Sequence, residues 1–142
     1  MRPGELVVDV GAGHGALTGH LLQAGARVIA VELHQGRVEY LRERFPEARI
    51  VQADAITMTW PRRPFRVVAN PPYGAGSALL RVLLAPRSQL TAADLVLQRA
   101  VVRRHADQAI RRWHLNQGLT LPRSAFRPVP RVDSAVLVVR KR

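Results

Sequence analysis

The chain has 142 residues, 47% of them hydrophobic, enough for one globular domain whose core buries roughly two-thirds of the unfolded surface. It contains no cysteine, which excludes disulfides and thiolate metal sites, and its apolar runs fall far short of the roughly 20 residues of a membrane span. Lysine plus arginine total 22 against 10 acids, a net charge of +12; such a field favours partners with polyphosphate backbones, although charge runs also occur as plain solvated faces.

Strand and helix patterns alternate, which predicts a parallel sheet covered on both faces. Leu6–Val10 (LVVDV) reads as a doubly buried strand. A glycine-rich turn follows, then a helix over 16–24 closed by Gly25. A second strand, 27–31, ends at Glu32. A helix over 36–45 places Val38, Leu41 and Phe45 on one face, with Pro46 just beyond it. Arg49–Gln52 and Phe65–Ala69 are the third and fourth strands, followed by a helix over 77–84. A fifth strand is expected at 95–97, then an Arg- and His-rich helix over 100–113. A weak strand at 115–121 and a last one at 134–139 complete seven, with the basic residues 140–142 after them. The proline-rich stretch 128–130 reads as a stiff connector.

In open α/β sheets, ligands sit beyond the carboxyl ends of the strands. Four such ends carry conspicuous residues: Asp9 with Gly11, Gly13 and Gly15; Glu32; Asp54; and Asn70-Pro71-Pro72-Tyr73. The glycines remove side chains where backbone approaches a ligand. Glu32 stands where a carboxylate takes two hydrogen bonds from a ribose diol. This loop and acid suit NAD as well as S-adenosylmethionine; Asp9, an acid suited to a cationic methionyl end, favours the latter. Asp54 can accept from an adenine amine or simply cap a turn.

The diproline segment decides between them. Two prolines fix the backbone and remove two donors, leaving outward carbonyl acceptors. With the Asn70 side-chain oxygen they can hold both hydrogens of one planar NH₂ group, while Tyr73 offers a stacking face. Acceptors in that arrangement favour a nitrogen whose lone pair points at a sulfonium methyl. Transfer then needs positioning and electrostatics, not a strong base.

The stretches DVGAGHGALT (9–18), VEL (31–33), QADA (52–55), NPPYG (70–74), LVLQRAVVRR (95–104) and FRPVPRVDSAVL (126–137) resemble the ribosomal RNA adenine N6-methyltransferases. That group contains the macrolide-resistance enzymes of 23S rRNA and the adenine dimethylases of small-subunit rRNA, and RVVANPPYG and DLVLQRAVV look closer to the former. The resemblance implies a doubly wound, mostly parallel seven-stranded sheet of the Rossmann-like methyltransferase kind. It implies S-adenosylmethionine as cofactor, held by Asp9, Gly11, Gly13, Gly15, Glu32, Leu33, Asp54, Ala55 and Asn70. It implies that Asn70 and the Pro71 carbonyl hold the target amine, Tyr73 stacks on the target base, and Phe126 closes on it from the other side. Phe126 has a plainer reading as a core plug.

Family members usually carry a lid segment before the first strand and a C-terminal helical lobe that grips RNA. Here five residues precede the strand and the chain ends at Arg142, so the expectation is a single catalytic domain, 1–142, resembling a short form of the macrolide-resistance branch. The expected partner is 23S rRNA, with a monomer in the cytoplasm. Arg103, Arg104, Arg111, Arg112, Arg123, Arg127, Arg131, Arg140, Lys141 and Arg142 are candidates for phosphate contacts. The five histidines show no metal spacing. Asn-Pro-Pro-Tyr also serves methyltransferases acting on DNA adenine or protein glutamine, and a non-catalytic RNA-binding module of the same fold is the rival of another class.

Overall fold

The computed structural model describes residues 2–72, 74–110, 112–126 and 129–142. In chain order the elements are β1 (Leu6–Val10), α1 (Ala16–Gln23), β2 (Arg27–Glu32), α2 (Gln35–Arg44), β3 (Arg49–Gln52), β4 (Phe65–Ala69), α3 (Gly76–Leu83), β5 (Leu90–Gln98), α4 (Arg99–His105), β6 (Gln108–Ile110), β7 (Trp113–Leu121) and β8 (Ser134–Lys141). One sheet runs in the order β3-β2-β1-β4-β5-β8-β7-β6. The strands from β1 to β5 are parallel. β8 inserts antiparallel to β5, and β7 and β6 follow antiparallel at the edge.

Every residue of β1 is buried, because the strand has a core on each face. Leu6, Val8 and Val10 point to one side, among Phe65, Leu79, Leu83 and Leu137. Val7 points to the other, among Leu21, Val28, Val38 and Leu41. This two-sided burial is what a continuous apolar strand requires, and each such side chain contributes roughly 1.5–3 kcal/mol. α1 and α2 therefore cover one face, α3 and α4 the other.

The seven expected strands are all present, and a short eighth, β6, stands where a helix was expected. α4 ends at His105. Ala106 turns to an extended conformation, and Asp107 adopts a left-handed one, φ 62°, while its N–H donates to the Leu115 carbonyl at 2.6 Å. The chain then folds back as the β6–β7 hairpin, which buries Trp113 under the Lys141 ammonium, 5.8 Å from its ring centre. β5 is longer than expected, starting at Leu90. β8 continues through Arg140 and Lys141, so those two residues are strand, not a trailing tail. Among the described residues no helix is long and apolar enough to cross a membrane.

Candidate active site

The order of the strands reverses between β1 and β4, and their two carboxyl ends lie side by side: the Asn70 N–H donates to the Val10 carbonyl at 3.3 Å. Gly11 and Asn70 are thereby forced together. A β-carbon at Gly11 would stand 3.0 Å from the Asn70 carbonyl oxygen, and Gly11 has φ 71°, so both space and backbone demand glycine there. The Gly11 and Ala12 N–H groups donate to the Val31 carbonyl, which draws the end of β2 into the same corner.

Glu32 locks the turn. Its Oε1 accepts from the Gly13 N–H and its Oε2 from the His34 N–H, each at 2.9 Å. A carboxylate has about four acceptor positions; two remain for a diol. Asp54 accepts from the Ile56 N–H at 2.9 Å, so its turn-forming role is real, but the residue stays exposed at the end of β3. Between these ends lies a cavity of about 230 Å³ whose wall includes Gly11, Leu33, Asp54, Ala55, Ile56 and Pro71. Leu33 is 66% exposed beside it. An unspent apolar side chain next to an acceptor suits a flat heteroaromatic ring with an amine, which is the adenine end of the expected cofactor.

Asp9 plays a different part from the one its position suggests. It is 2% exposed, and Oδ2 accepts from the Thr18 hydroxyl at 2.6 Å, pinning α1 to β1. Burial raises its pKa above the ordinary carboxylate range, against the Thr18 hydrogen bond, and the Glu32 carboxylate adds to the rise. It can act on a ligand at the turn through charge, not through an open face. Gly15 is likewise a packing glycine: a β-carbon there would overlap the Phe45 ring.

On the other side of the diproline corner a wider cleft, about 630 Å³, is lined by Asn70, Pro71, Pro72, Gln98, Arg104 and Phe126, with Arg37 and Ser77 at its walls. Pro71 and Pro72 border both cavities. A Pro72 carbonyl to Ala75 N–H hydrogen bond turns the chain into α3, and Gly74, φ 84°, makes that turn possible. Ser77 Oγ and His105 Nε2, 3.3 Å apart, tie α3 to α4 across the cleft.

A pair of cavities sharing a diproline wall is joined by what the whole chain matches: residues 1–142 fit the model of the family described as ribosomal RNA adenine dimethylase. The chain belongs to the ribosomal RNA adenine dimethylase family. It is 35% identical to an rRNA methyltransferase of Streptomyces thermotolerans, over 99% of this chain and 51% of that protein. It is 34% identical to a ribosomal RNA small subunit methyltransferase A of Cupriavidus metallidurans, over 96% and 55%. A crystal structure of the 23S rRNA methyltransferase ErmE superposes with a TM-score of 0.89 at 30% identity, covering all of this chain and 63% of that one. The chain thus spans about half the length of the curated relatives it matches. The dimethylase family consists of S-adenosylmethionine-dependent methyltransferases, and the Glu32 and Asp54 acceptors with the apolar Leu33 fit that cofactor.

The structure brings Asn70, Pro71 and Phe126 to one cleft, and Gly11, Leu33, Asp54 and Ala55 to the adjoining cavity. Tyr73, Arg111 and Arg127 lie outside the described residues. The remaining cations divide. Arg103 and Arg104 are exposed on α4, and Arg104 lines the cleft. Arg131 lines a smaller hollow next to Gln98 with Arg123, and Arg123 reaches the Asp133 carboxylate at 3.7 Å. Arg112, Arg140, Lys141 and Arg142 lie at the opposite end of the sheet. Arg140 pairs with Ala92 near the start of β5 and binds the Asp94 carboxylate at 3.0 Å. Residues not singled out from the sequence include Ile56 in the cofactor cavity and Arg37, Ser77 and Gln98 in the cleft. Gln98, the last residue of β5, follows the same strand-end rule that identified the others.

Proposed function

We propose that this chain transfers a methyl group from S-adenosylmethionine to the N6 amine of an adenine in 23S rRNA. The observation that carries the reading is the shared wall: Pro71 and Pro72 border both the cavity at Gly11, Leu33 and Asp54 and the open cleft at Asn70 and Phe126. When bound, the cofactor supplies an electrophilic methyl on a sulfonium. The remaining acceptor position on each Glu32 oxygen would take a ribose hydroxyl, Asp54 would take the adenine amine, and Leu33 the ring face. Asn70 accepts from the target amine in the cleft, holding its lone pair toward the cofactor side. Phe126 packs on the base, drawn out of its local stack. The nitrogen would form its bond to the methyl carbon as the sulfonium–carbon bond breaks, the electron pair staying on sulfur in the departing thioether, S-adenosylhomocysteine, and one proton would leave the nitrogen for solvent.

The +12 charge and the exposed Arg104 in the cleft wall support an RNA substrate over an acidic protein loop. The 23S branch is supported by the match to ErmE, and the implied phenotype is macrolide-type resistance, because a methylated amine crowds the drug site. A monomer in the cytoplasm completes the reading. Identities of 34% to small-subunit enzymes keep small-subunit rRNA as the second substrate to test. Incubation with labelled cofactor and separated 23S rRNA, small-subunit rRNA, DNA and protein distinguishes them; label confined to 23S rRNA is expected, and label only in DNA or protein contradicts the reading.

A further inference from the structure

At the end of the sheet away from Asn70, the amino ends of the strands frame a groove of about 790 Å³. Arg27 opens β2 and Arg49 opens β3, on adjacent strands; Arg63 leads into β4, on the other side of β1; Arg44 closes α2. All four line the groove, and Glu47 is the one acid in its wall. All four are exposed, and among the described residues none joins an ion pair. The Arg44 guanidinium lies over the Phe45 ring, 5.3 Å from its centre, which orders it without neutralising it.

The contrast with a nearby arginine is informative. Arg66, in the same region, is neutralised by Glu5 at 3.3 Å and Asp94 at 3.8 Å. The fold therefore supplies acids at this end of the sheet, yet to the groove only Glu47, which pairs with none of the four arginines among the described residues. Strands β3 to β4 span three intervals of about 4.8 Å, so the cations spread over about 14 Å. That is an extended cationic track, suited to a backbone carrying regularly spaced charges and not to a single small anion. Guanidinium forks match phosphate oxygens in geometry as well as sign.

We propose that the groove lined by Arg27, Arg44, Arg49 and Arg63 is a second RNA-backbone site, separate from the cleft that takes the target base. The proposal rests on the RNA-substrate reading but not on methyl transfer. Strands of five or six residues at about 3.3 Å per residue put the groove roughly 20 Å from the cleft. One short stem seated at Asn70 does not reach it; a folded rRNA fragment with a second helix does.

The test measures binding against salt for two RNAs, a short hairpin bearing the target adenine and a folded fragment several helices long. It compares the unaltered chain with a variant carrying Arg27→Gln, Arg44→Gln, Arg49→Gln and Arg63→Gln. Each phosphate that is no longer neutralised takes about 0.7–0.9 off the log–log slope. The expected result is a slope shallower by about 3–4 and affinity at least tenfold lower on the folded fragment, with the hairpin unchanged. Lysine at the same four positions recovers most of the affinity. Equal losses on both RNAs, or no loss on either, overturn the proposal. If the fourfold variant does not fold, the pairs Arg27→Gln with Arg49→Gln and Arg44→Gln with Arg63→Gln should each show about half that change in slope. Binding needs no cofactor, so a chain that methylates nothing still answers; a chain that binds no RNA removes the substrate reading as well.

Discussion

At the carboxyl ends of the parallel strands the chain buries two carboxylates, Asp9 and Glu32, and among the described residues no arginine neutralises either. At the amino ends it does the reverse: Glu5, Arg66, Asp94 and Arg140 form a chain of alternating ion pairs, and the arginines of the groove face solvent. The first arrangement costs stability, because buried charge loses water without gaining a counter-ion. The second contributes a little, since half-exposed pairs are each worth about 0–1 kcal/mol. The carboxyl end of the sheet is arranged for a cationic, hydroxyl-rich ligand and the ion-pair chain at the amino end for holding together, so substitutions in these two sets should separate cofactor binding from stability.

Glu32→Ala should have the largest effect at the carboxyl end. It leaves the Gly13 and His34 N–H groups without an acceptor, at about 1–3 kcal/mol for each orphaned group, and removes the two acceptors proposed for the ribose. Calorimetry should show cofactor affinity at least a hundredfold weaker, with Tm lowered as well. Gly11→Ala comes next. Its side chain meets the Asn70 carbonyl at a positive φ, a strain of about 1–3 kcal/mol; cofactor affinity should fall about tenfold or more while far-UV circular dichroism remains that of a folded chain. Asp94→Ala should do the opposite, lowering stability in urea by about 1 kcal/mol and leaving cofactor affinity unchanged.

pH separates the ends with opposite signs. Asp9 has a raised pKa, so its contribution to stability is full below the unfolded carboxylate value and is lost as pH rises through its folded value. Asp9→Asn, which keeps an acceptor for Thr18, should therefore melt higher than the unaltered chain at neutral pH, with the difference vanishing near pH 3. Glu5 has a lowered pKa: burial opposes its charge, but the Arg2 N–H and the Arg66 guanidinium outweigh that. Its contribution is present above the unfolded carboxylate value and lost as pH falls through the folded one. Glu5→Gln should melt slightly lower at neutral pH and show no deficit near pH 3. Matching pH profiles for the two variants would erase the distinction between the ends.

The parallel half of the fold was legible because its inner strands β1, β2 and β4 are largely buried and each stops at a residue with chemistry to do. Val10 before Gly11, Glu32 at the end of β2 and Ala69 before Asn70 are readable as apolar run and polar stop. The antiparallel half was not. Nothing in Arg103 to Trp113 breaks a helical pattern: the break occurs at Asp107, where a left-handed backbone and a hydrogen bond to Leu115 replace the glycine or proline that would have announced it. The first half of β5 was hidden because Thr91 and Asp94 interrupt the apolar run, Asp94 being held by Arg66 and Arg140 from strands distant in sequence. In the site, Asn70, Pro71 and Phe126 were readable by motif. Arg37 was not, since its place in the cleft depends on how α2 lies over the turn; nor was the burial of Asp9, which depends on Thr18.

The most direct measurement is mass mapping of methylated adenines in 23S rRNA exposed to the unaltered chain or to Asn70→Ala, with cofactor and RNA binding measured beside it. Loss of one oriented group at a reacting centre typically slows transfer about 10²–10³-fold. The account predicts one modified adenine with the unaltered chain, loss of that signal to this degree in the variant, and binding retained in both. The same adenine methylated at an undiminished rate by Asn70→Ala would contradict it.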